Sequence, residues 1–477
     1  MLDHAVGSRK IHGKAIPRLG GIGIVCGFYA PLTVLLLYET SLGEIFYANR
    51  QQAFALLGGG VAIALLGIYD DLRGATAVKK FAVQFAIAGT LYAAGFRIDQ
   101  IATPFGQAIP LGPLAIPFTL LWIVGVINAL NLIDGLDGLA GGVALFAIGT
   151  TFAITFMRGE PLMTLFMACL GGAVLGFLFY NFNPASIFMG DTGSMFLGFV
   201  LAAGSLRTSQ KSSTAVAILV PIVALGLPIA DTLAAMVRRA LRGRPLFSAD
   251  KEHIHHRLLA LGFSQKQAVI VLYGVCTVLG GAALLLTFAS SAQTAIVLGA
   301  LALLGFFGLR RLGYLKVGAG SLAVERRRNQ ELRRAARELG KELDDAGDGD
   351  AIWSTVKAFA RSLDADTVAL SRVSRQGAGG GERVVTTYTT RPSDGNRAAT
   401  TGRTATFQIH GIDDVAGALE LEWNLGRSLT YDEEVAVEIF CEHIATALTR
   451  TGPPAQPPRR SAERATVPDV RPRNLPS

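Results

Sequence analysis

Up to about Tyr314 the chain is a succession of long apolar runs separated by short polar segments, and this is what most constrains its fold. A helix of about 20 mostly apolar residues spans a bilayer, because it satisfies its own backbone polar groups where no water is present. Ten runs are candidates, at 20–38, 52–69, 81–96, 113–133, 138–157, 162–180, 187–206, 214–234, 267–288 and 293–312. The averages of 51% hydrophobic and 17% charged residues hide a change after these runs, where the sequence becomes charged and mixed. The predicted architecture is an all-α polytopic membrane bundle of about 10 transmembrane helices followed by a small α+β domain. The expected boundaries are 1–315 for the bundle, 316–350 for a charged helical linker, 351–450 for the soluble domain and 451–477 for a disordered tail rich in Pro and Arg.

Ten spans place both ends on one side, and charge decides which side. One set of loops holds Arg9, Lys10, Lys14 and Arg18, then Arg73, Lys79 and Lys80, then Arg238, Arg239, Arg242, Arg244, Lys251, Arg257 and Lys266. The other set holds only Arg50, Arg97, Arg158, Arg207 and Lys211. The positive-inside rule makes the first set, and the α+β domain with it, cytoplasmic. The polar segments "GIYDDLRG", "NLIDGLDG", "NFNPASIFMGDTGS" and "RRALRGRPLFSADKEHIHHR" all fall on that side. Such sorting points to a single site assembled at one membrane face. The four cysteines are far apart in sequence, and three lie inside apolar runs, so they read as small buried hydrophobes.

Each polar cluster has a plain reading and a chemical one. Asp70 and Asp71 end an apolar run, as acids do where a helix end meets water. Adjacent carboxylates on a helix point in different directions, so one could face a metal while the other meets a lysine or a nucleophile. Asp134 and Asp137 stand three apart among Gly135, Gly138, Gly141 and Gly142, which suits either a polar turn or a close approach to a ligand. Asn128 and Asn131 extend that polar face into the span, where polar groups are functional suspects. Asp191, in "MGDTGS", is the only acid between Glu160 and Asp231. These acids suit a hard divalent cation bridged to phosphate. "GDTGS" lacks the lysine and spacing of a Walker A loop, which excludes a P-loop ATPase reading. His253, His255 and His256 are three of the seven histidines, and beside Arg238, Arg239, Arg242, Arg244 and Arg257 they read as a cup for phosphate. Acids for a cation and bases for phosphates together describe phosphoryl transfer, with a substrate that partitions into lipid.

The segments "RKIHGKAIPRLGG", "DDLRG", "NALNLIDGLDGLAGG", "FMGDTGSMFLG" and "HIHHRLLALG", in this order across residues 9–262, resemble the signatures of the polyprenyl-phosphate N-acetylhexosamine-1-phosphate transferases. The likeness is nearer to the branch using UDP-N-acetylglucosamine than to the branch using UDP-N-acetylmuramoyl-pentapeptide. It implies transfer of a sugar 1-phosphate from a UDP-N-acetylhexosamine to a polyprenyl phosphate, with release of UMP, in a bacterial plasma membrane. It further implies that Asp191 and Asp71 hold Mg²⁺, with Mn²⁺ as an alternative. Asp70 and Asp71 would position or deprotonate the lipid phosphate. Lys80 matches the family lysine after the acid pair, with Gln84 one turn on. Asp134 and Asp137, with Asn128 and Asn131, would hold the nucleotide and complete the cavity, and Arg239 and His253 would grip the diphosphate with His255 and His256 beside them. Asp134, Asp137 and His253 join the acid pair as the expected catalytic set. Thr76-Ala77 replaces the family's usual Ser-Pro after the acid pair. Family members usually carry one more span ahead of the first basic segment.

Beyond the bundle, Leu332, Ala335, Leu339 and Leu343 recur at helical spacing, as in a short coiled coil, and nearby arginines suit anionic headgroups. Residues 351–450 offer a helix, the strand candidates "DTVALSRV", "ERVVTTYTT", "RTATFQIH" and "GALELEWN", and a final helix. This order is similar to a GAF-type regulatory domain; a packing or dimerisation module, and so a homodimer, is an equal expectation. No nucleic-acid partner is expected. The rival classes are an ion-coupled transporter, which should show repeated halves and mid-bilayer polar groups, and a membrane-anchored sensor with a degenerate bundle.

Overall fold

The computed structural model describes residues 2–3, 16–37, 41–102, 108–210, 219–241, 253–312, 319–375, 383–390, 403–411, 414–423, 429 and 431–450. The chain divides into two units, Met1–Gly318 and Ala319–Ser477.

In the first unit β1 (Leu2–Asp3) pairs with β2 (Ile16–Pro17), and then come α1 (Gly20–Leu37), α2 (Ser41–Ala48), α3 (Arg50–Arg73) and α4 (Ala77–Ala93). A small hairpin of β3 (Gln100–Ala102) and β4 (Ala108–Pro110) leads to α5 (Ala115–Ile133), α6 (Leu139–Met157), α7 (Pro161–Asn181) and α8 (Gly190–Gln210). The unit closes with α9 (Leu219–Ala224), α10 (Gly226–Leu241), α11 (Ile254–Ala260), α12 (Gln265–Phe288) and α13 (Ser291–Arg311).

Among the described residues six helical segments are long and apolar enough to cross a membrane: Arg50–Arg73, Gly112–Ile133, Leu139–Met157, Pro161–Asn181, Gln265–Phe288 and Ala292–Arg311. The other four apolar runs fall differently. The helices α1 and α4 are short, at 18 and 17 residues. The run at 214–234 is interrupted at Leu225, and its second part continues as α10 to Leu241. Pro228 sits in the first turn of α10, where its missing N–H leaves no helical bond unmade.

The remaining run, α8, is buried on every side from Thr192 to Leu206 and packs against α1, α3, α5 and α6. A helix enclosed by other helices has no lipid to face, so Gly, Ser and Thr that permit close packing can replace large apolar residues. The core includes Phe28, Phe166, Phe196 and Phe199, all fully buried. Leu303, Leu304 and Phe307 on α13 are exposed, as side chains facing acyl chains would be. The N-terminus of α8, at the middle of the bundle, is where the polar motifs collect. The opposite end of α8 carries Arg207, ion-paired at 3.2 Å with the buried Glu160.

The second unit holds α14 (Ala319–Asp345), α15 (Gly349–Ser362), the strands β5 (Thr367–Arg375), β6 (Arg383–Thr389), β7 (Arg403–Gly411) and β8 (Asp414–Trp423), and α16 (Tyr431–Arg450). The strands form an antiparallel sheet in the order β6-β5-β8-β7 and fall on the four strand candidates. Alternation buries Val368 and Leu370 on β5 and Leu419, Leu421 and Trp423 on β8. Phe359 of α15 and Phe440 of α16 stack at 4.0 Å between ring centroids. On α14 the apolar stripe of Leu332, Ala336 and Leu343 is buried in this same core, and α14 packs on α16. Of the seam read from the sequence, Leu332 and Leu343 are buried here and Leu339 packs against them, whereas Ala336 rather than Ala335 turns inward, so these leucines are used within the unit. The segment 451–477 lies outside the described residues.

Candidate functional site

The site begins with a close helix crossing. Gly67 brings α3 so near to α8 that an added Cβ would stand 2.4 Å from Thr192 Cα. Asp71, one turn later on the same face, therefore meets the first turn of α8. Its Oδ1 accepts from the Asp191 amide at 2.9 Å, and its Oδ2 accepts from the Thr192 amide at 3.0 Å and the Thr192 hydroxyl at 2.7 Å. These amides are among the donors that a helix start leaves without partners, and a carboxylate there also suits the helix dipole.

Asp70 turns the other way. Its Oδ1 accepts from the Ala75 amide at 2.6 Å, closing the turn after α3, and its Oδ2 pairs with Lys80. Lys80, in the first turn of α4, also donates to Asp191 Oδ2 at 2.9 Å. Asn131 of α5 donates to Asp191 Oδ1 at 3.1 Å and to Ser194 Oγ at 2.9 Å. Four helices thus converge on Asp191, whose side chain is 35% exposed against 6% for Asp70. The acid pair separates into a buried partner of Lys80 and a cap for α8. A second polar layer lies beneath: Asn128 donates to Gln84 Oε1 at 2.7 Å, and Gln84 is fully buried.

The turn after α5 divides its two acids. Asp137 is buried, and its Oδ2 accepts from Asn183 Nδ2 at 3.1 Å and the Ala185 amide at 3.0 Å, fastening the loop between α7 and α8. Asp134 is open to solvent, yet protein crowds its carboxyl group as in a cavity wall. This desolvation and the charges of Asp191, Asp71 and Asp137 outweigh Arg18 and raise its pKa to about 7. Between these acids lies Gly135, where a Cβ would stand 2.4 Å from His255 Nε2. The histidine segment therefore meets the acid cluster at this glycine.

His255 is 2% exposed, and neither ring nitrogen has a hydrogen-bond partner among the described residues. Burial, with His256 and His253 outweighing Asp231, pushes its pKa down to about 3, so the ring is neutral. The rings of His253 and His255 lie nearly parallel, 6° apart with centroids at 5.8 Å, and His256 is 4.3 Å from His255. His253 Nδ1 is 2.8 Å from Asp231 Oδ2, and Asp231 Oδ1 accepts from the Ile254 amide at 2.9 Å. Arg239 is buried two turns beyond Asp231 on α10. Arg242, Arg244 and Lys251, like Arg9, Lys10 and Lys14, lie outside the described residues.

Sequence reasoning assigns no role to Asp231, Thr192 or Asn183. The signal for Asp231 is a lone carboxylate in an apolar run. Thr192 and Asn183 carry no such signal, because their importance lies in which acid they meet.

The donors suit a hard divalent cation. Asp191 accepts one hydrogen bond on each oxygen, from Lys80 and Asn131, and its carboxyl group also lies beside that of Asp70. Asp71 Oδ2 accepts two and is filled, which leaves only Oδ1 with capacity. Among the described residues no three acidic, histidine or cysteine side chains form a complete metal centre. One or two carboxylates completed by phosphate oxygens is the usual arrangement for Mg²⁺.

Residues 53–209 match glycosyl transferase family 4. The chain is 39% identical over 267 residues to a probable undecaprenyl-phosphate N-acetylglucosaminyl 1-phosphate transferase of Bacillus subtilis, covering 56% of this chain and 72% of that protein. It is 36% identical over 313 residues to a decaprenyl-phosphate N-acetylglucosaminephosphotransferase of Mycolicibacterium smegmatis, covering 61% and 77%. A phospho-N-acetylmuramoyl-pentapeptide-transferase of Staphylococcus carnosus is 31% identical over 283 residues, covering 55% and 83%.

Proposed function

The chain belongs to glycosyl transferase family 4, and from that premise we propose that it transfers N-acetylglucosamine 1-phosphate from UDP-N-acetylglucosamine to a membrane polyprenyl phosphate. An oxygen of the lipid phosphate forms a bond to the phosphorus that carries the sugar. The bond from that phosphorus to the bridging oxygen breaks, and UMP leaves. The observation that carries this reading is the convergence of Asp70, Lys80, Asn131 and Asp191 from four helices at one end of the bundle. The identity of 39% to the Bacillus subtilis relative named for N-acetylglucosamine, against 31% and 34% to two Staphylococcus relatives named for the muramoyl pentapeptide, supports the donor.

In this reading Asp191 holds Mg²⁺, and Asp71 would contribute through Oδ1, the oxygen of that side chain that keeps capacity. The cation would offset repulsion between two phosphorylated reactants and stabilise the charge on departing UMP. Lys80 orients Asp191 and screens Asp70. Asn131 holds the other oxygen of Asp191. Asp134 faces the open cavity, where it can contact the nucleotide. His253 and Arg239 bind the diphosphate. We further read the bundle as ten spans in a bacterial plasma membrane, with the site and the second unit on the cytoplasmic side. The basic loops on that side support the orientation.

Membranes containing the protein, incubated with radiolabelled UDP-N-acetylglucosamine, polyprenyl phosphate and Mg²⁺, should yield labelled lipid and UMP. Absence of both with every UDP-N-acetyl sugar would reject the transferase reading. Label from a different sugar would reject only the donor.

A further inference from the structure

We infer that Asp231 is a positioning residue that fixes the ring orientation of His253 and keeps its Nδ1 hydrogen in place; this rests on the reading of His253 as a ligand of the donor diphosphate. The carboxylate holds the start of α11 with both oxygens. Oδ2 engages the His253 ring at Nδ1, 2.8 Å away, and Oδ1 takes the next backbone amide at 2.9 Å. Asp231 is 2% exposed and His253 5% exposed, so water does not compete for either group.

A carboxylate is only an acceptor, so the proton between the two groups resides on Nδ1. That leaves Nε2 for the diphosphate, whose oxygens are acceptors too, so a ring bound between Asp231 and the diphosphate donates from both nitrogens. A histidine with one nitrogen committed to a carboxylate presents the other in a fixed direction, the same logic by which outer-shell acids orient metal-bound or catalytic histidines. The nearly parallel His255 ring, itself seated against Gly135, completes a row of imidazoles running from Asp231 to the acid cluster.

The pairing lies just beyond the interruption of the apolar run at Leu225. The following helix α10 carries Asp231 toward the basic end of the bundle and Arg239 two turns further, on the same side of the helix. A lone acid is tolerable in such surroundings because two donors from the α11 start satisfy it.

Asp231→Asn tests this directly. The amide preserves the shape and can still accept from the Ile254 amide, but its NH₂ group would face Nδ1 and require that nitrogen as an acceptor, so the ring could no longer donate from both nitrogens and would meet the diphosphate without a positive charge. Transfer should fall roughly 100-fold in kcat/KM for the UDP-sugar, near the lower bound for a positioned proton-bearing group. The melting temperature should change little. On a His253→Gln background the same substitution should cost nothing further. Unchanged kcat/KM, or losses that multiply in the double variant, would overturn the inference. Nitrogen-15 imidazole NMR of the wild type supplies a reading that needs neither activity nor a folded variant. A proton on Nδ1 of His253 is expected, and an unprotonated Nδ1 would overturn the pairing. Should the wild type transfer no sugar phosphate, the NMR result still decides the Asp231–His253 pair, while the proposed function fails separately.

Discussion

Asp71 and Asp191 belong to different helices, yet the carboxylate of the first receives the backbone amide of the second at 2.9 Å. The residue that caps α8 thereby fixes the position of the acid that opens it. Asp71 thus acts on Asp191 through the backbone, and the first consequence is mechanical.

Asp71→Ala should destabilise the bundle by about 1–2 kcal/mol, the upper range for loss of a helix cap. Asp71→Asn should retain part of that stability, because one oxygen can still accept. The melting temperature of the detergent-solubilised protein is the measurement, and an alanine variant as stable as wild type would refute the clamp.

Lys80 bridges Asp70 and Asp191. Lys80→Met leaves the buried Asp70 without its counter-charge, and about 3–5 kcal/mol should be lost, as for other broken buried pairs. Adding Asp70→Asn should recover part of that stability but no transfer activity. If the double variant melts no higher than Lys80→Met, the loss has another origin.

Gly135→Ala should displace His255, because the new Cβ would sit 2.4 Å from its ring nitrogen. We expect KM for the UDP-sugar to rise by about tenfold, the effect of about 1.4 kcal/mol in binding. His255→Ala in the same chain should restore room for the alanine, so the double variant should be no worse than His255→Ala alone. Steady-state kinetics of the three variants would reveal any other order.

His255 sets a pH dependence of known sign. Its folded pKa is depressed to about 3 against an ordinary value of 6.5. Between these limits the unfolded chain binds a proton that the folded chain does not, so stability falls as pH drops below about 6.5. The slope from this one group is at most about 1.4 kcal/mol per pH unit. Wild type should therefore lose more melting temperature than His255→Gln between pH 7.5 and pH 5.5; equal losses would count against a neutral buried ring.

Much of this protein is legible in its sequence because the relevant signals are local. Apolar runs report helices, alternation reports the strands at 367–375 and 414–423, and polar segments punctuating apolar runs report where a site must gather. The tertiary structure alone decided which partner each polar side chain takes. Asp70 and Asp71 are neighbours in the chain, but one meets Lys80 and the other meets α8. Asp134 and Asp137 share a turn, but one is open to solvent and the other fastens Asn183. Asp231 lies in an apolar run, but its partner is a histidine from the basic segment beyond α10. The physical reason is that periodicity encodes which face of a helix is buried, whereas a hydrogen bond depends on how closely two helices approach. That approach is set by a missing side chain at Gly67, which no local pattern ties to Thr192.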